Sequence, residues 1–290
     1  MLGNILITGG ASGLGKATAR AVAEAGGRPL VIDVTAPDAA PAYAAYEPGH
    51  AAGGATRPGS GAGRTARSGG GARPGSEAGR TARSAADGAA HAASSNGARG
   101  GVRSGDHAVA DLADRGQAER AVRELAERAG GLDGVVTSAG IDRCGPLARV
   151  DAEEWERVVR VNLLGTVSVI RAALPYLTRS HGRVVTVAST LGLRPLSDAT
   201  AYCAAKAGVV GFTRALALEL RGQVGVTLLV PGGMRTPFFD GRDEQYTPGP
   251  EADLNAPEDV AATVVFALTR PPGCEVRELV VCPARETSWP

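Results

Sequence analysis

Residues 4–33 read NILITGGASGLGKATARAVAEAGGRPLVID, and the order of residue types in them decides the fold. NILIT is a short run of strand-forming residues. TGGASGLG (Thr8–Gly15) then places glycines at 9, 13 and 15. The Ala-rich stretch beyond it reads as a helix, with Gly26 and Gly27 offering the stop. RPLVID is a second buried strand ending in Asp33. Strand, helix, strand predicts a parallel pair joined by a right-handed crossover.

Glycines between a strand and a helix permit a tight turn and let backbone N–H groups approach a pyrophosphate at the positive end of the helix dipole. The spacing here, Gly-x-x-x-Gly-x-Gly, departs from the commoner G-x-G-x-x-G. A plain structural turn is the alternative, but the position after a strand and before a helix points to a dinucleotide. Gly9, Ser12, Gly13, Leu14 and Gly15 are its candidate contacts. Asp33 falls 18 residues after Gly15, near where a ribose-binding acid is expected. A carboxylate there accepts from a ribose 2′-OH and repels a 2′-phosphate, which favours NAD over NADP. A solvated aspartate at a strand end is the alternative.

Beyond Asp33 the periodicity stops. Residues 36–105 are rich in Gly, Ala, Arg, Ser and Pro, and RPGSGAGRTARS at Arg57 recurs as RPGSEAGRTARS at Arg73. That composition has no apolar face to bury and predicts a disordered insert. Its eight arginines from Arg57 to Arg103 could meet anionic partners, but no aromatics interleave them, so nucleic acid is not expected as a partner.

Strands and helices alternate again from HAVADLADRG onward. A strand runs to Asp111, a helix to about Ala129, and a strand to near Ser138. One long helix is opened by Asp151 as N-cap; then come GRVVTVAS, the helix of AYCAAK, VGVTLLVPGG, a helix at APEDVAATVVFAL and the strand RELVVCPA. The expected fold is α/β, a Rossmann-like doubly wound parallel sheet in a single domain over 1–290, with the insert after the second strand. No second folded domain is apparent.

Tyr202 and Lys206 stand at i and i+4 on one helix face. A phenol with a pKa near 10 is a poor base at neutral pH, and a cation close by favours its ionised form. Ser189, 13 residues upstream at a strand end, could hold a substrate oxygen beside the phenol. Y-x-x-x-K alone is commonplace. Its combination with the glycine turn, Asp33 and Ser189 is not.

With these residues in place, the chain resembles the single-domain short-chain dehydrogenase/reductases. The resemblance is carried by TGGASGLG, Asp33, Asp111–Leu112, Ser138–Ala139–Gly140, VNLLG with Asn162, Ser189, YCAAK and PGGMRT (Pro231–Thr236), and it covers nearly all of the chain except the insert. It implies Tyr202 as catalytic acid/base. Lys206 would bind the nicotinamide ribose and lower the tyrosine pKa, Ser189 would orient the carbonyl or hydroxyl, and Asn162 would anchor a proton-relay water. Asp111 and Leu112 would flank the adenine, with Ala139 and Gly140 on the central strand's end beside it. Pro231 would line the nicotinamide pocket and Thr236 would hold its carboxamide. Ser12, where NADP-preferring members often carry a basic residue, agrees with Asp33 on NAD. Ser138 stands where the family usually has asparagine, which suggests a looser adenosine pocket.

The expected activity is NAD-dependent interconversion of a secondary alcohol and a ketone. A non-catalytic dinucleotide sensor on the same fold is the alternative, and a polyanion-binding role for the insert stands further off. A net charge of +1 gives no pull toward nucleic acid or membrane. No apolar run approaches the roughly 20 residues of a membrane span, and no secretory leader is apparent, so the cytoplasm is the expected location. Four cysteines without CxxC spacing suggest reduced thiols and no metal. The substrate is expected to be a small alcohol or ketone. The small-residue helices at Asn162 and Tyr202 suit close helix pairing, and the resemblance implies that such surfaces build a homodimer or homotetramer.

Overall fold

The computed structural model describes residues 2–36, 106–286 and 289. The expectations placed on the insert from residue 37 to 105 lie outside them.

The elements run β1 (Asn4–Thr8), α1 (Gly13–Glu24), β2 (Arg28–Asp33), β3 (His107–Val109), α2 (Arg115–Ala129), β4 (Gly134–Thr137), α3 (Ala152–Val159), α4 (Thr166–Ser180), β5 (Arg183–Val187), α5 (Thr200–Glu219), β6 (Gly225–Pro231), α6 (Pro257–Leu268) and β7 (Glu278–Val281). The strands form one sheet in the order β3-β2-β1-β4-β5-β6-β7, every pair parallel. The order reverses between β1 and β4. In such sheets the crevice at the carboxyl ends of the strands beside that reversal is the binding place.

Alternation along the strands supplies both cores. In β1, Ile5 and Ile7 pack with α1 and α6 on one face, while Leu6 turns to α2 and α4 on the other. Because both faces are covered, the strands are near-continuous apolar runs, as in VVTV and LLV. Each Leu or Ile so buried contributes about 1.5–3 kcal/mol.

Two boundaries differ from expectation. β3 stops at Val109, and Asp111 turns away to accept from the Ala113 amide at 2.9 Å. The single long helix expected after Asp151 is broken by a π-helical turn over Arg160–Gly165, between α3 and α4. Asp151 does cap it, accepting from the Glu153 and Glu154 amides at 2.8 and 3.2 Å. The run Ala152–Ser180 also corrects the expectation that nothing here is apolar enough to span a bilayer. Its 29 residues hold a window of mean hydropathy 1.4, and half of that window is buried in the core.

Just before β3, the buried Asp106 accepts from Arg28 Nε with both oxygens, at 3.1 and 3.0 Å. That fork fixes the entry of β3 beside β2.

Candidate active site

The glycine turn lies across the ends of β1 and β4. Gly9 N–H donates to the Ile32 carbonyl at 2.8 Å, and Ala139 N–H donates to Thr8 Oγ1 at 3.1 Å. The Ser138 hydroxyl donates to the Thr8 carbonyl. Ser138, where the family usually has asparagine, thus ties the ends of β1 and β4 together.

Gly15 shows what the turn demands of sequence. A Cβ on it would lie 2.0 Å from the Gly9 carbonyl oxygen, so any side chain would push the turn off the helix. Gly13, at φ +48°, faces Thr236, whose Cβ would stand 3.3 Å from an added methyl. Two of the nominated cofactor contacts, Gly13 and Thr236, thus meet. Ser12 makes no side-chain cap hydrogen bond, so it does not occupy the donors of the first turn of α1, the place for an anion. Asp33 closes the turn from the other side: Oδ2 accepts from the Ala11 amide at 2.9 Å and Oδ1 from the Thr35 amide at 3.3 Å. Amide donors beside one carboxylate fit the pyrophosphate and ribose diol of a dinucleotide.

Asp111 and Leu112 follow β3 as expected, but they are committed locally. Asp111 Oδ2 accepts from Arg157 Nη1 of α3 at 2.9 Å. Burial works to raise that carboxyl, but the Ala113 amide and Arg157 outweigh it and hold it below its usual range. The Leu112 side chain is buried in the core with α2 and α4.

The proton-transfer candidates converge at the ends of β4 and β5. Tyr202 and Lys206, one turn apart on α5, are 8% and 3% exposed. Ser189, directly after β5, lies beside the Tyr202 phenol and favours its ionised form; its Oγ accepts from the Leu191 amide at 3.2 Å. Lys206 Nζ donates to the Val187 carbonyl at 2.8 Å and stands 5.6 Å from the centre of the Tyr202 ring. The π-helical turn delivers Asn162, fully buried, to the same place. Its amide pairs with the backbone of Ile141, accepting from N–H at 3.0 Å and donating to the carbonyl at 2.7 Å. Gly140 is the hub: a Cβ there would lie 2.8 Å from Asn162 Oδ1 and 3.6 Å from Lys206 Nζ. Pro231 is buried at the end of β6, paired in register with Val281.

One expectation is reversed. Burial pushes the Tyr202 phenol above its ordinary value, and only Ser189 and the more distant Arg242 pull it down. Burial lowers Lys206 to about 8. Both shifts follow from withdrawing an ionised group from water. The sequence showed a cation near a phenol but not how dry their surroundings are.

Sequence reasoning missed Asp142, Asp198 and Arg242. Asp142 and Arg242 act electrostatically on the Tyr202 phenol, and Asp198 on the Cys144 thiol beside Asp142. They sit on three loops at the C-terminal edge of the sheet, and no local motif marks them. Among the described residues no group of three His, Cys, Asp or Glu side chains could hold a metal.

Residues 72–247, more than half of the chain, match the family described as short chain dehydrogenase. The match leaves out the glycine turn and Asp33. The chain is 35% identical over 165 residues to the (2S)-[(R)-hydroxy(phenyl)methyl]succinyl-CoA dehydrogenase subunit BbsD of Thauera aromatica, covering 54% of this chain and 66% of that protein. It is 32% identical over 163 residues to the 3-oxoacyl-[acyl-carrier-protein] reductase FabG of Thermotoga maritima, with the same coverage. The chain thus spans just under two thirds of these curated relatives. The fold matches an alcohol dehydrogenase from Thermococcus sibiricus complexed with 5-hydroxy-NADP, with a TM-score of 0.70 at 20% identity over 97% of this chain and 96% of that one. That likeness takes in the β1–β2 region.

Proposed function

This chain belongs to the short chain dehydrogenase family, and on that premise we propose that it is an NAD-dependent oxidoreductase that interconverts a secondary alcohol and a ketone. The observation that carries the reading is the buried contact of Ser189 with Tyr202, beside Lys206, at the sheet end next to the glycine turn. A sensor would need the turn and Asp33 alone.

The dinucleotide would lie along Gly9–Gly15, its ribose on Asp33 and its nicotinamide end toward Thr236 and Pro231. When bound, its nicotinamide ring accepts or returns the hydride. The chain's own residues handle the oxygen and its proton. Ser189 and Tyr202 hold the substrate oxygen from two sides, which fixes the carbon bearing the mobile hydrogen. In reduction, the phenol gives its proton to the carbonyl oxygen as the carbon gains the hydride. In oxidation, the phenolate takes the hydroxyl proton as the hydride departs. Lys206, charged below about pH 8, offsets the negative charge on the phenolate. Asn162 holds Ile141 and thereby the loop that faces Lys206. Because burial keeps the proton on Tyr202, the acid form dominates at neutral pH and suits the reductive direction.

Asp33 supports NAD as the cofactor, and its two backbone hydrogen bonds leave a carboxylate where a 2′-phosphate would have to go. Titration with NADH and NADPH, followed by nicotinamide fluorescence, tests this, with Asp33→Ala and Tyr202→Phe in parallel. Tight NADH binding, lost in the first variant and kept in the second, supports the assignment. Absence of binding by either dinucleotide overturns it.

A further inference from the structure

Next to the catalytic tyrosine stands a polar cluster that proton and hydride transfer leave unused. The loop after β4 supplies Asp142 and Cys144, the loop after β5 Asp198, and the segment after β6 Phe238, Arg242 and Tyr246. The Arg242 guanidinium lies over the rings of Phe238 and Phe239, 4.5 and 4.8 Å from their centres. Phe238 in turn stands 5.4 Å from the Tyr202 ring. Arg242 therefore sits one aromatic layer away from the reacting phenol.

Its hydrogen bonding is incomplete. Nη1 donates to Cys144 Sγ at 3.5 Å. Nη2 is 3.3 Å from Asp142 Oδ2, an ion pair, yet it is buried with no hydrogen-bond acceptor in line. A buried donor left in this state is unfavourable until an acceptor reaches it. Asp142, with a side chain only 3% exposed, accepts from the Arg143 amide at 2.7 Å and the Cys144 thiol at 3.3 Å. Asp198 accepts from the Tyr246 hydroxyl at 3.3 Å. Two carboxylates therefore share the cluster with one guanidinium, and Cys144 is held as a neutral thiol, pushed up to about 11 by burial and Asp142.

The chemistry that completes this arrangement is narrow. A group there must accept from Nη2 and tolerate, or better donate to, a carboxylate. An alcohol hydroxyl does both. A substrate carboxylate only accepts, and would bring a third negative charge beside Asp142 and Asp198. A hydrocarbon leaves Nη2 unpaired. We propose that the substrate is a neutral alcohol bearing a second hydroxyl, a diol or polyol and its hydroxyketone, and that Asp142 and Arg242 are the pair that selects it by holding that second hydroxyl. Phe238 covers the C–H face of the same molecule. The proposal rests on the hydride-transfer reading of Tyr202 given above.

Matched alcohols test it on the intact protein with saturating NAD: cis-1,2-cyclohexanediol, cyclohexanol and 3-hydroxybutyrate. The expected kcat/KM for the diol exceeds that of cyclohexanol by about tenfold or more, as for sites whose polar groups are left unpaired by the lesser substrate. 3-Hydroxybutyrate is expected to be the poorest. Asp142→Asn lowers kcat/KM for the diol more than for cyclohexanol and leaves NADH binding in place. Because Asp142 also acts on the Tyr202 phenol, any change in the pH profile is shared by both alcohols, and the diol-to-cyclohexanol ratio is the readout. Since the variant also leaves Arg242 without its counter-charge, the double variant Asp142→Asn/Arg242→Gln is measured beside it, with thermal unfolding of each. Equal rates with diol and cyclohexanol, preference for the hydroxy acid, or an equal loss for both alcohols in the variants overturns the proposal, the last meaning that the pair merely fastens the loops. Failure of the underlying reading looks different: NADH binds and no alcohol at all is oxidised.

Discussion

Lys206 Nζ donates to the carbonyl oxygen of Val187 at 2.8 Å, which ties the helix of the YCAAK motif to the last residue of β5. The bond holds the ammonium in a site that burial makes costly for it, and that tension can be measured.

Lys206 is lowered from 10.5 to about 8, so between those values the unfolded chain binds more protons than the folded one. Stability therefore rises with pH across that window, and below about pH 8 the full penalty, roughly 3 kcal/mol, is present. Lys206→Met is expected to abolish the rise. The check is the difference in Tm between wild type and variant from pH 7 to 10.5, which should shrink as pH climbs.

The Tyr202 phenol lies above its ordinary value through burial. Ketone reduction, which uses the protonated phenol, is expected to stay level through neutral pH and fall only at alkaline pH. Alcohol oxidation, which uses the phenolate, is expected to climb about tenfold per pH unit over the same range. Ser189→Ala removes the hydroxyl that favours the phenolate, so the oxidation profile moves to higher pH. Initial rates in both directions across pH read these shifts.

Asp33→Ala removes the carboxylate that Ala11 and Thr35 hold in place. NADH affinity is expected to fall about 10- to 100-fold, the worth of hydrogen bonds to a charged group, and discrimination against NADPH to relax. Paired fluorescence titrations give both constants.

Gly15→Ala places a methyl 2.0 Å from the Gly9 carbonyl oxygen, and backbone rather than a pliant side chain must yield. Loss of dinucleotide binding is expected together with a lower Tm, measured by titration and thermal unfolding. Gly211→Ala on α5, where a Cβ meets nothing within 4 Å, serves as the control: dinucleotide binding should hold and Tm should not fall, since alanine favours a helix over glycine.

The central strands β1, β2, β4, β5 and β6 were legible because each is a short apolar run bounded by glycine, and Asp33 and Ser189 mark strand ends that the structure places beside the turn and the tyrosine. Asn162 was legible as a residue but not in its posture. The π-helical turn that presents it has nearly the same apolar spacing as an ordinary helix, so nothing in VNLLG announced it. The direction of the Tyr202 shift depends on how thoroughly three loops exclude water, a property of packing rather than of residue type. Arg242 and Asp142 lie 100 positions apart in the chain. They meet only because β4 and β6 end on the same edge of the sheet, a fact of topology that no local pattern carries.

The central claim is that Tyr202 moves the proton while a hydride passes between substrate and nicotinamide. Reduction of a hydroxyketone with NADH deuterated at the transferring position tests it directly, with wild type and Tyr202→Phe compared at equal NADH occupancy. The account predicts deuterium on the new carbinol carbon and a rate at least about 100-fold lower in the variant. A variant that reduces the ketone as fast as wild type, or a product alcohol without deuterium at that carbon, would contradict it.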